Sequence, residues 1–191
     1  GNKSMQMRLF LGTTNTKLSP QIELQRCSVY AVSNRVNSEV TNYATDPRVN
    51  TIQDDPSACQ YLTKEITLEN PATSIKIITD AHIPTDADIR AFYAIASEPG
   101  LDPIFTPFPG YLNLDTRGLV IDEADNDGRT DTLVPTSSRR GFSVDDSEFV
   151  EHVFTADNLP SFRTYRIKLV MTSTNQVLVP QMRNLRVIAL A

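Results

Sequence analysis

The chain has 191 residues, 40% of them hydrophobic, and its 18 basic and 23 acidic side chains give a formal charge of −5. That apolar content supports a folded core and excludes wholesale disorder. The mildly acidic balance argues against a nucleic-acid partner, which needs a concentrated basic surface, and no stretch approaches the ~18 apolar residues of a membrane span.

Strand patterns recur from end to end. Residues 5–11 alternate Met5, Met7 and Leu9 with Gln6 and Arg8; residues 20–24 are short and extended; residues 26–36 set Cys27, Val29 and Ala31 against Ser28, Tyr30 and Val32. The polar stretch 37–60 reads as a long loop. Alternation resumes over 61–68 with Leu62, Ile66 and Leu68, and continues over 74–81 around Ile75, Ile77 and Ile78. Residues 89–96 have the β formers Ile89, Phe92, Tyr93 and Ile95, which favour a strand over a short helix capped by Asp86 or Asp88. Residues 119–121 and 148–155 follow, and the chain closes on an apparent β-hairpin. Its first strand alternates Tyr165, Ile167, Leu169 and Met171 with Arg166 and Lys168, which are expected to face solvent; its second has Met182, Leu185, Val187, Ile188 and Leu190.

Roughly eight to ten short strands with turn chemistry between them predict an all-β fold, an antiparallel β-sandwich with long loops and little helix. Twelve prolines against seven glycines agree with that punctuation. One domain over residues 1–191 is expected, with residues 1–4 an expression remnant or the whole a module of a longer chain. No signal peptide is legible at the N-terminus. Cys27 and Cys59 are too few for a disulfide framework and are expected to be thiols.

Catalytic signals are sparse. No nucleophile elbow, phosphate loop or dinucleotide fingerprint occurs, and His82 and His152 lack zinc-ligand spacing. Glu123, Asp125 and Asp127, followed by Gly128 and later Asp131, resemble the opening of a calcium loop. Val134 stands where an EF-hand needs a bidentate Glu, so a solvated acidic turn is the favoured reading and calcium the sharper alternative; no other cofactor is implied. Asp54-Asp55 and Asp145-Asp146 read as loop charges. Tyr93, Phe105, Phe108 and Tyr111 surround a proline-stiffened turn; exposed they would stack on a sugar or anchor an interface, and buried they plug the end of a sandwich. Burial is favoured.

The wording of several segments carries a resemblance. LSPQIELQR at 18–26, VYAVSNRVN at 29–37, TDPRVNTIQDDPSACQYLTKEITLENPATSIKI at 45–77, FPGYLNL at 108–114 and the closing segment from Asp157 resemble virion structural proteins of tailed bacteriophages, especially contractile-tailed phages of marine cyanobacteria. The similarity runs from about Leu18 to the last residue and rests on no catalytic motif; at Glu23 the family phrase more often has Asp. It implies a non-enzymatic tail or baseplate component, made in the host cytoplasm and located in the virion, whose partners are other virion proteins and copies of itself. The opening and closing strands also resemble jelly-roll sandwiches of galactose-binding type, for which the alternative role is a carbohydrate- or host-receptor-binding module at the tail tip, with a host-surface glycan as partner. An envelope depolymerase is the least favoured reading.

Overall fold

A computed structural model describes residues 8–22, 35–38, 42–111, 124–131 and 149–191. The chain divides into two compact units, Gly1–Val32 and Ser33–Ala191. In the first, the described parts of the strand candidates at 5–11 and 20–24, residues 8–11 and 20–22, are not strand, and Phe10 is 85% exposed. Alternation over so few residues fixes which side chains share a face, but a strand also needs a neighbour to pair with. The strand candidate at 119–121 and most of 26–36 lie outside the described residues.

The second unit is built from antiparallel strands: β1 (Gln60–Leu62), β2 (Ile66–Ala72), β3 (Ser74–His82), β4 (Ala87–Ala96), β5 (Thr106–Pro107), β6 (Val150–Ala156), β7 (Phe162–Ser173) and β8 (Gln181–Leu190). A five-stranded sheet runs β1-β7-β4-β5, with β2 on the same edge of β7 as β1; a three-stranded sheet runs β6-β3-β8. Ile75, Ile77 and Ala81 from β3, Phe154 and Ala156 from β6, Ile89 and Ala91 from β4, and Tyr165, Ile167 and Leu169 from β7 form one buried cluster. The two sheets therefore share a core, as in a sandwich. β3 shows the underlying pattern plainly, with every second residue buried along its nine positions.

Two expectations are corrected. The closing strands are not a hairpin: β7 pairs with β4 in the five-stranded sheet, whereas β8 crosses to the other sheet and pairs with β3 from His82↔Gln181 to Ser74↔Leu190. Each strand has its own apolar face, and both faces are best buried when they oppose each other across the core. The single strand read over 61–68 is broken into β1 and β2. Thr63 bridges the break, its N–H donating to Ile167 O at 2.9 Å and its hydroxyl accepting from Ile167 N–H at 2.9 Å. Beyond it Glu65 turns to Arg166, 3.3 Å away.

Candidate functional site

The five-stranded sheet is covered on both faces, and its outer face carries most of the unit's unusual chemistry. β4 is apolar in both registers: Ile89 and Ala91 face the shared core, while Phe92 and Ala94 point the other way. Such a run belongs to a strand buried on two sides. Tyr43, Val49 and Phe105 cover the outer face and close a second cluster with Phe92, Ala94 and Val170. A 3-10 turn at Pro47–Val49, capped by Asp46, presents Val49 to the sheet, and Phe105 N–H donates to Asn50 O at 2.8 Å.

Two cations lie under this layer. Lys168, expected to face solvent, is fully buried: its Nζ donates to Val49 O and to Asp55 Oδ2, 2.6 Å away, and both side chains of the pair are 0% exposed. Phe92 and Phe105 flank the ammonium, with ring centroids 4.7 and 4.8 Å distant. Asp55 is thus no loop charge but the counterion of a buried lysine. Burial pushes the Lys168 pKa down, opposed by its hydrogen bond to Asp55. Arg90, on the same face of β4, is 3% exposed, with Nε 2.7 Å from Asp88 Oδ2 and a second ion pair to Asp127 Oδ2. Its guanidinium sits 4.8 Å from the Tyr43 ring centroid. A cation between an aromatic face and a carboxylate gains from both quadrupole and charge.

Arg90 also reaches the acidic turn. Asp127 accepts from Arg90 and from Arg129 N–H, and Asp125 Oδ1 accepts from Asp127 N–H at 3.3 Å. Arg129 Nε lies 3.3 Å from Asp127 Oδ2 and 3.4 Å from Asp88 Oδ2. The turn is stapled to β4 through Gly128, whose O accepts from Ala91 N–H at 2.8 Å and whose N–H donates to Phe108 O at 2.9 Å. Gly128 has φ +79°, and a Cβ there would meet Ala91 O at 2.8 Å, so only glycine fits the approach. Asp125 and Asp127 are therefore brought together, but around arginines. Burial and the neighbouring Asp127 raise the Asp125 pKa. Glu123 lies outside the described residues.

Asp131 is turned elsewhere. Its N–H bonds Val153 O at 2.8 Å and its Oδ2 accepts from the Thr155 hydroxyl at 2.6 Å, beside β6. At 3% exposure, burial pushes its pKa up to about 6, against the Thr155 hydroxyl, the Tyr111 N–H and the Lys76 charge, which favour the ionised form. A carboxyl whose folded pKa lies above its unfolded value binds more protons when folded, so stability falls as pH rises from 3.8 through about 6. Asp131→Asn is expected to remove that fall. In urea titrations the variant gains on the order of 2 kcal/mol over the parent between acid and neutral pH.

The four aromatics divide between the two faces. Phe105, 1% exposed, belongs to the outer cluster beside Lys168; Phe108, 0% exposed, belongs to the shared core. Tyr93 is half-buried and meets Phe108 edge-on at 5.2 Å, and Phe108 meets Phe154 at 6.1 Å. Tyr111 is half-buried too, and burial raises the pKa of both tyrosines. Phe105 and Phe108 thus have no face to offer a ligand. His82 packs against Phe149 at 6.2 Å, and Cys59 is a free, half-buried thiol whose pKa burial raises.

An open polar cleft of about 370 Å³ lies at the end of β4 and β7, lined by Asp86, Asp88, Arg129 and Thr172 among others. Asp88 and Arg129 link it to the Arg90 network. Sequence reasoning passed over Arg90, gave Lys168 to solvent and Asp55 to a loop charge, and weighed Asp88 only as a helix cap. The available signal was a lysine and an arginine inside strands whose same-face neighbours, Val170 and Phe92, are apolar. No family model, no curated protein and no solved structure matches the chain.

Proposed function

We propose that the chain is a non-enzymatic structural protein of a tailed-bacteriophage virion, a tail or baseplate component that assembles with neighbouring subunits and with copies of itself. The observation that carries this reading is the edge formed by β8. That strand is ten residues long, pairs only with β3 among the described residues, and exposes Ile188 and Leu190 on its outer face at 40% and 51%. The first part of β8 is blunted as monomer edges are, by exposed Arg183 and Arg186 and a register shift opposite Ile78 and Asp80, whereas its last residues keep the apolar surface that a permanent contact uses. The segment resemblances point the same way. The finer fold that goes with this reading is a jelly roll of galactose-binding type, with which five plus three antiparallel strands are compatible.

Light scattering on the purified chain tests it. The expected result is a defined homo-oligomer, or concentration-dependent association that Ile188→Glu abolishes. A strictly monomeric chain at high concentration counts against the assembly role. A tail-tip module that binds host-surface carbohydrate is a second reading, favoured by the cleft beside Asp86, Asp88 and Arg129, whose carboxylates, guanidinium and hydroxyls suit sugar hydroxyls. A glycan array without hits removes it.

A further inference from the structure

We propose that the Lys168 amine and the Asp55 carboxyl condense spontaneously into an intramolecular amide that ties the covering loop to the central strand β7. The two groups are held in contact, Nζ to Oδ2 at 2.6 Å, and both side chains are shut off from solvent at 0% exposure. Phe92 and Phe105 wall the pair on either side of Nζ, and Val49 O holds a second N–H of the amine. Solvent exclusion rules out a role on external substrates, so the reaction open to this amine is with its own neighbour.

Burying both charges completely costs free energy that their attraction and the surrounding contacts offset only in part, and an amide removes both charges at once. Proton transfer along the hydrogen bond from Nζ to Oδ2 gives a neutral amine and a carboxylic acid. The nitrogen lone pair adds to Asp55 Cγ, forming the N–C bond; the C–O bond then breaks, and Oδ2 leaves as water with a second amine proton. The net change is ammonium plus carboxylate to amide plus water, with no oxidant or reductant. Burial lowers the Lys168 pKa, the direction that favours the nucleophilic form. Fixed apposition replaces a bimolecular condensation, for which effective molarities reach on the order of 10⁵ M or more. The inference stands apart from the virion reading, since the chemistry needs only the folded chain.

The intact mass of the purified chain after prolonged incubation, read under denaturing conditions, is the test. The expected mass is lower than the sequence mass by one water. Tryptic digestion should leave Lys168–Leu169 uncut and yield a branched peptide joining residue 55 to residue 168. Lys168→Met and Asp55→Ala should each restore the sequence mass. A parent chain at full sequence mass with Lys168 cut normally overturns the proposal, and so does a water loss that tandem spectra place at Asp127-Gly128, where succinimide formation gives the same mass. Because the parent chain alone is decisive, a variant that fails to fold does not blunt the experiment.

Discussion

Asp55→Ala is expected to lower the free energy of unfolding by about 3–5 kcal/mol, the range for breaking a buried ion pair from one side. The reason lies less in the attraction lost than in the charge left behind. Lys168 sits at 0% exposure between two phenylalanine rings, and without Asp55 its polar partner among the described residues is the Val49 carbonyl. Lys168→Met removes the cation and leaves Asp55 buried with the Ser57 N–H, 2.9 Å from its Oδ1, as its remaining donor, so it should cost somewhat less. The pairing Lys168→Met with Asp55→Leu removes both charges and is expected to return most of the loss, since apolar replacement of a whole buried pair is often neutral or better. Urea unfolding of the four proteins measures the cycle. If the double variant is as unstable as the singles, the pair supplies geometry that apolar side chains cannot replace. The cycle is read on freshly purified parent at full sequence mass, because once the amide has formed all three variants lack a bond that spans 113 positions and restrains the unfolded chain.

That cycle probes the part of the protein least legible in its sequence. The inner faces were legible: Ile75, Ile77 and Ala81, or Tyr165, Ile167 and Leu169, alternate with neighbours that, apart from Ile78 and Val170, are polar, and the period of two assigns them to a core without further information. The outer face of β7 breaks that logic. Lys168 reads as a solvent-facing charge because local pattern cannot show that residues more than a hundred positions away lie over it. Only tertiary structure brings Asp55 and Val49 onto the same strand. The acidic turn shows the same limit, since spacing placed its oxygens side by side but could not show that Arg90 pairs with Asp127. Sheet membership was equally hidden. β7 and β8 are separated by a short connection and look like partners, yet burying both apolar faces requires them to oppose each other across the core.

Deleting residues 186–191 is expected to unfold the chain or to lower its thermal midpoint by roughly 10 °C or more, the shift that accompanies a loss of several kcal/mol in a domain of this size. The deleted residues pair with β3 from Ile78↔Arg186 to Ser74↔Leu190. They contribute Val187 and Ala189 to the packing around the shared core, and Ile75 and Ile77, each 0% exposed, lose part of their cover. At ~1.5–3 kcal/mol for each large aliphatic side chain returned to water, two or three partial exposures reach that scale. The deletion also bares an edge of β3 and invites aggregation. Calorimetry with an unchanged midpoint would show that the last turn of the ladder is dispensable. Ile188→Glu separates this structural role from assembly: Ile188 is 40% exposed on the outer face and lies opposite Lys76. A glutamate there faces a lysine across the ladder and should leave folding intact. Loss of self-association with an unchanged melting temperature in that variant would assign β8 both tasks, an inner face that closes the sandwich and an outer face that meets the next subunit.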